Sequence, residues 1–312
     1  MTAFLFPGQA SQFVGMGADL YAEHESARRL FDEADDVMGT ALTKICFEGP
    51  LEELTQTAIT QPAVFVHSCA AAQLLREKGL TPGFAAGHSL GEYSALVAAG
   101  AIEFSQALEL VRERGRLMQH AGELEPGKMA AIIGMDDDDV RALCAELFPS
   151  GDAVPANFNA PGQVVVSGKA AAVEEVASVA PERGAKRAIE LTVSGAFHSK
   201  LMAPAAEQMQ SLIGGAALKE PELPVITNVS AEPVEDVGQL REHLIAQITS
   251  PVRWTETIGY LAGAGVERAV EVGPGAVLKG MARRTKPAPE VQTAGTVEDL
   301  PAAAAWAQTG DS

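Results

Sequence analysis

Gly87-His88-Ser89-Leu90-Gly91 has the spacing of a nucleophile turn. In the pattern G-x-S-x-G a strand reverses sharply into a helix. The flanking glycines let the two segments close up, and the serine is held in a strained, exposed position. The helix N-terminus behind it favours developing negative charge. An apolar run at 83–87 precedes the motif and a helical composition at 93–99 follows it, the context the pattern requires. A serine also needs a base. Of the six histidines, His24, His120 and His243 sit in charged or polar helical stretches, and His67 in an apolar one. His88 adjoins the serine, but neighbours on a sharp turn point apart. His198 follows the small-residue run Ser194-Gly195-Ala196-Phe197 and precedes a helix. Loops at strand ends are where catalytic groups are presented, so His198 is the candidate base.

The helix expected over 105–120 carries a cation on its apolar side. At about 100° per residue, Ala107, Leu108, Leu110, Val111, Gly115, Leu117 and Met118 fill one arc, with Arg114 inside it. Glu109, Arg112, Glu113 and Arg116 lie opposite. A guanidinium keeps its charge and must find an anion or hydrogen-bond acceptors. Two readings stay open: a structural salt bridge to a buried carboxylate, or a bidentate clamp for a substrate carboxylate.

The elements that must position these groups follow from local patterning. Ala3-Phe4-Leu5-Phe6 reads as a strand ended by Pro7-Gly8-Gln9. Helices are expected over 23–38 and 60–78, the second with Pro62 in its first turn. From Met129 the character changes to short strand-like runs at 130–134, 154–157, 164–168 and 188–192, with helices near 137–147 and 171–183. That order, strand-helix-strand-strand-helix-strand, predicts a ferredoxin-like subdomain over 127–194. Helix and strand signals resume at 199–213, 225–227, 237–249, 254–264 and 269–272. The segment 287–312 is expected to add one edge strand and a short helix, with Asp311 and Ser312 disordered.

Taken together, these residues resemble the malonyl-CoA:acyl carrier protein transacylases and the related acyltransferase domains of polyketide synthases. The likeness runs through Phe6-Pro7-Gly8-Gln9-Ala10, Thr60-Gln61-Pro62-Ala63, the Ser89 motif with Glu92, and Arg114-Gly115. It continues in 157–163, Gly195-Ala196-Phe197-His198-Ser199 and Glu271-Val272-Gly273-Pro274-Gly275. The resemblance implies an α/β fold: an α/β-hydrolase-like catalytic domain with a parallel sheet core, made of 1–126 and 195–312, interrupted by the ferredoxin-like subdomain. It implies Ser89 as nucleophile and His198 as base, with the backbone carbonyl of Gln247 orienting the histidine. By the same resemblance the amides of Gln9 and Leu90 form an oxyanion hole, Arg114 grips the malonyl carboxylate, and Gln61 lines the pocket. Phe197 stands where the polyketide relatives have Phe for malonyl and Ser for methylmalonyl. The stand-alone fatty-acid enzymes often have Ser there, so this residue leaves a discrete polyketide acyltransferase as the alternative to fatty acid synthesis. A thioester hydrolase is a further rival, since the same dyad could pass its ester to water.

The expected partners are malonyl-CoA, as substrate, and an acyl carrier protein. Carrier proteins are acidic and so is this chain, at a net charge of −18, so docking needs a local basic patch. Lys186 and Arg187, with Arg283 and Arg284, are the candidates, flanked by Arg183, Lys279 and Lys286. The acidity argues against nucleic acid as a partner, because binding its phosphates needs a basic footprint. No apolar run approaches the roughly 20 residues of a membrane span, and Met1 to Pro7 reads as a strand rather than a leader. Three scattered cysteines fit neither a disulfide framework nor a metal cluster. A cytoplasmic monomer without resident metal or cofactor is expected.

Overall fold

The computed structural model describes residues 1–309, so Asp311 and Ser312 lie outside the described residues. The fold is mixed α/β and contains two separate sheets. Strands β1 (Thr2–Phe6), β2 (Phe84–Gly87), β7 (Val225–Ile226), β9 (Arg268–Val272) and β10 (Glu290–Ala294) run parallel, in the order β10-β9-β1-β2-β7. A two-residue strand, β8 (Pro233–Val234), adds antiparallel at one edge. Every residue of β1 is buried. Phe4 and Phe6 join the large core on one face, while Ala3 and Leu5 join a second apolar cluster around Trp254 on the other. A parallel sheet covered on both faces needs apolar residues at every position, which is why this strand does not alternate.

The parallel arrangement brings the functional motifs to one edge. Phe6 pairs with Gly87, so the loop after β1, with Gln9, lies beside the turn after β2, with Ser89. The segments after β7 and β9 emerge on the same edge, where open parallel sheets bind their ligands. Behind Ser89 runs the helix Gly91–Ala98, and across it the helices Thr57–Glu77 and Phe104–Leu124 pack on each other. The first of these begins at Thr57, three residues earlier than the sequence suggests, so Pro62 lies inside the helix. The extension is held by tertiary packing: Gly115 lets the Thr57–Ala58 backbone approach closely, and the Ala58 amide donates to the Gln119 side chain.

The second sheet comprises β3 (Gly127–Ile133), β4 (Ala153–Ala160), β5 (Gln163–Lys169) and β6 (Arg187–Glu190), antiparallel in the order β4-β5-β3-β6. Its faces divide with the period-2 alternation of strands. Ala130, Ile132, Val164 and Val166 pack under the helices Asp137–Leu147 and Ala170–Val179, whereas Met129, Ala131 and Val165 turn toward the large core. This smaller unit rests on the larger one through β4, where the Phe158 amide donates to the Val252 carbonyl. The C-terminal edge strand and the helix Asp299–Gln308 form as the sequence suggests. The short helices Leu42–Glu48 and Leu51–Leu54 continue the helical character of residues 19–80, and Val277–Ala282 is additional to the sequence reading.

The nucleophile turn is the tightest junction. A Cβ on Gly87 would stand 1.9 Å from the Gly91 carbonyl carbon, and one on Gly91 would stand 2.1 Å from the Phe6 oxygen. Gly87→Ala and Gly91→Ala are therefore each expected to destabilise the fold by about 3 kcal/mol or more, as overpacking against backbone does. Gly214→Ala, where a Cβ meets nothing within 4 Å, is the matched control and should be neutral. Urea unfolding of the three variants checks this.

Candidate active site

Ser89 occupies the turn between β2 and its helix with φ 51°, in the left-handed region. Its Oγ lies 2.8 Å from His198 Nε2. His198 also has positive φ, 58°, at the end of the loop that returns from the smaller unit. Its Nδ1 faces two acceptors, the carbonyls of Gln247 at 3.0 Å and Ser250 at 3.1 Å. Carbonyls can only accept, so Nδ1 carries the proton and Nε2 is left as the acceptor for the Ser89 hydroxyl. Burial, and after it the charge of Arg114, pushes the His198 pKa down to about 3. The ring is therefore neutral at any ordinary pH, with Nε2 free to accept. His88 points away from Ser89: its Nε2 meets Asn159 Oδ1 at 2.8 Å and its ring packs edge-on against Trp254.

Arg114 is 1% exposed. Its Nη1 donates to Gln61 Oε1 at 2.6 Å, and its Nη2 donates to Gln247 Oε1 at 3.0 Å and to Ser89 Oγ at 3.1 Å. No salt bridge joins it to a carboxylate among the described residues. Of the two readings the sequence leaves open, the structural salt bridge is thus not realised. The guanidinium is solvated by neutral groups, one of them the nucleophile. Desolvation lowers its pKa without discharging it.

Gln247 connects these parts twice. Its carbonyl holds His198, while its side chain accepts from Arg114 and donates through Nε2 to the Ser89 carbonyl at 3.0 Å. The sequence motif points to the carbonyl but carries no signal for the side chain. Gln9 Nε2 reaches Thr57 Oγ1 at 3.3 Å. In the turn, the amides of His88, Ser89, Gly91, Glu92 and Tyr93 all donate within the protein. The Leu90 amide, among the described residues, does not, and neither does that of Gln9. Both residues line a cavity of about 190 Å³ that also takes in Gln61, Ser89, Arg114 and His198. His88, Asn157 and Asn159 add polar lining, and its apolar walls are Phe197, Met129, Val165 and Leu191 on the side of the smaller unit and Val277 and Met281 opposite. The helix Val277–Ala282 that presents the latter is anchored by Glu271, whose carboxylate accepts from the Leu278 and Lys279 amides at 2.9 and 2.8 Å.

Lys186, Arg187, Arg283 and Arg284 are exposed and lie outside this cavity. Arg284 Nη1 donates to Gln163 Oε1 at 2.8 Å, and Gln163 and Arg187 both pair with Ile133 of β3. The two basic pairs therefore flank one rim where the units meet. Arg183 is engaged by Glu146 at 2.6 Å. No cluster of three or more His, Cys, Asp or Glu among the described residues could hold a metal ion. No helix there is long and apolar enough to cross a membrane.

Glu92 is missed as a functional residue by sequence reasoning beyond its place in the motif. It is fully buried beside the nucleophile turn, and burial raises its pKa to about 7. The signal was available, an acid within an otherwise apolar helix, the same logic that marks Arg114. Because the folded pKa lies above the ordinary value, the stability linked to Glu92 is fully present below about pH 4.5 and is lost as pH rises through 7. Glu92→Gln removes that dependence. Its unfolding free energy relative to wild type should rise between pH 5 and pH 8, toward a difference of order 3 kcal/mol. A constant offset across that range, read by calorimetry, would contradict the shift.

Residues 3–302 match the family described as "Acyl transferase domain". The malonyl CoA-acyl carrier protein transacylase of Bacillus subtilis (strain 168) is 49% identical over 283 residues, 90% of this chain and 89% of that protein. Among solved structures, the acyl-carrier-protein S-malonyltransferase of Bartonella henselae aligns with a TM-score of 0.94 at 43% identity, over 98% of this chain and 99% of its own. A malonyl-transacylase in complex with its type II PKS acyl-carrier protein aligns with a TM-score of 0.94 at 41% identity, over 97% and 99% of the two chains.

Proposed function

The chain belongs to the acyl transferase domain family, among its malonyl-CoA–acyl carrier protein transacylases, and on that premise we propose how its residues carry the reaction. It is an acyl-carrier-protein S-malonyltransferase, moving malonyl from malonyl-CoA to the phosphopantetheine thiol of a carrier protein for fatty acid biosynthesis. The observation that carries this reading is Arg114, a buried guanidinium without a carboxylate partner, 3.1 Å from the nucleophile. Its planar fork suits the free carboxylate of malonyl, and an acetyl group would leave it unmatched.

With the malonyl carboxylate on Arg114, Ser89 Oγ attacks the thioester carbonyl as its proton passes to His198 Nε2. The carbonyl oxygen becomes an oxyanion received by the amides of Gln9 and Leu90, each such donor contributing about 2.7–4 kcal/mol. Collapse expels the CoA thiolate, which takes the proton from His198. The carrier's thiol then repeats the attack on the Ser89 ester, completing a ping-pong cycle. Gln247 and Gln61 keep the base and the clamp in register. Phe197 closes the apolar wall beside the acyl group and favours unbranched malonyl.

The large unit, residues 1–126 and 195–312, is read as an α/β-hydrolase-like catalytic domain, supported by its five parallel strands and by a nucleophile turn after β2. The intervening residues 127–194 are read as a ferredoxin-like subdomain, supported by the antiparallel order β4-β5-β3-β6 and a separate apolar cluster. The carrier docks on the rim bearing Lys186, Arg187, Arg283 and Arg284. Malonyl-CoA is a substrate, with no resident cofactor or metal. All the groups named come from one chain, consistent with a monomer, and three buried free thiols suit the reducing cytoplasm.

Intact-protein mass spectrometry after brief mixing with malonyl-CoA tests the chemistry. A malonyl adduct is expected on the wild type, stable in water, discharged by carrier protein and absent from Ser89→Ala. Rapid hydrolysis of the adduct would instead indicate a hydrolase. Reversing Lys186 and Arg187 to Glu is expected to raise KM for carrier protein several-fold more than KM for malonyl-CoA. Equal effects on both would remove the docking assignment.

A further inference from the structure

We propose that Asn228, held in place by Glu92, is a positioning residue that fixes the backbone of the nucleophile turn; the proposal rests on Ser89 being the nucleophile. Asn228 lies just beyond β7, the strand next to β2, and is 1% exposed. Its side-chain amide bridges the two ends of the turn. Nδ2 donates to the Gly87 carbonyl at 2.6 Å, and Oδ1 accepts from the Ser89 amide at 2.7 Å. The Asn228 main-chain amide in turn donates to Glu92 Oε2 at 2.7 Å. Glu92 is fully buried on the helix that the turn leads into, so the clamp closes on itself.

This arrangement answers a physical need. A serine at positive φ is under backbone strain and persists only where the surroundings over-determine it. Strand pairing does not hold Ser89, because β2 ends at Gly87. Side chains hold it instead: Asn228 takes its amide, and Gln247 donates to its carbonyl. A neighbouring effect follows. With the Ser89 amide spent on Asn228, the Leu90 amide is the one left in the turn to face a reacting carbonyl oxygen. Asn228 is not among the hydrogen-bond partners of Arg114 and does not line the cavity, so it acts on the rate of attack and not on capture of the acyl group.

The test uses the full chain. Asn228→Ala should slow malonyl-adduct formation about 100-fold, the order expected when a nucleophile is displaced by about 1 Å. In a Ser89→Ala background the same change should leave the malonyl-CoA dissociation constant within about threefold. Phosphonylation of Ser89 by a fluorophosphonate should slow in parallel. Glu92→Leu should reproduce the loss, and Glu92→Gln, which retains an acceptor for the Asn228 amide, should restore most of it. The Glu92 pair carries the test if Asn228→Ala does not fold. Adduct formation within about threefold of wild type in Asn228→Ala, or loss of malonyl-CoA binding together with rate, would overturn the proposal. So would equal losses in the two Glu92 variants. The fluorophosphonate arm separates the readings: a wild type that is phosphonylated but never malonylated would sink the substrate assignment while the positioning role is still measured.

Discussion

A cation that cannot discharge sits at the centre of this protein with no carboxylate in salt-bridge contact among the described residues, and much of the site is arranged around that fact. Burying a charge unpaired is costly. Arg114 is accommodated by two neutral glutamine oxygens, from Gln61 and Gln247, and by the hydroxyl it shares with His198. The same charge depresses the basicity of His198. In the free protein the guanidinium therefore acts against the dyad electrostatically. An incoming carboxylate relieves both penalties together: it gives Arg114 its counter-ion and lifts a repulsion from the imidazolium that must form. On the proposed roles, selection of the acyl group and readiness of the base would be coupled through one side chain.

The sheet makes this coupling geometrically possible. Because β1, β2, β7 and β9 run parallel, the segments leaving them converge at one edge although they are far apart in sequence. Gln9, Ser89 and Asn228 follow three of these strands, and Glu271 anchors the helix that walls the cavity from the fourth. The smaller sheet supplies no member of the dyad. It contributes Met129 and Val165 to the apolar wall, and its return loop delivers Phe197 and His198. The chemistry thus belongs to the parallel sheet, while much of the shape of the acyl pocket belongs to the antiparallel one.

The sequence was most informative where a residue contradicts its local pattern. Arg114 breaks the period of an apolar arc, while Ser89 and His198 are marked by close-set glycines and by a small-residue loop, and all three line the cavity. The strand-helix alternation over 127–194 was equally legible, because its strands alternate in two and its helices in 3.6. The true start of the Thr57–Glu77 helix was not, since it depends on packing at Gly115, more than 50 residues away. Asn228 and the Gln247 side chain were invisible for a stronger reason. The turn groups they hold are backbone, separated by 139 residues in one case and 158 in the other, while Gln247 also accepts from Arg114. A side chain that recognises backbone leaves no complementary residue type to find.

Both members of the dyad have left-handed backbone, where glycine alone rests without strain. Evolutionary stability and catalysis therefore pull in opposite directions at two positions of the chain. With Ser89 and His198 in the proposed roles, a glycine at either position would relax the local conformation and abolish the chemistry. An alanine at either would abolish the chemistry and keep the strain. Selection for robustness alone would erode this site, and a library screened only for thermal tolerance would be expected to enrich inactive sequences at these two codons.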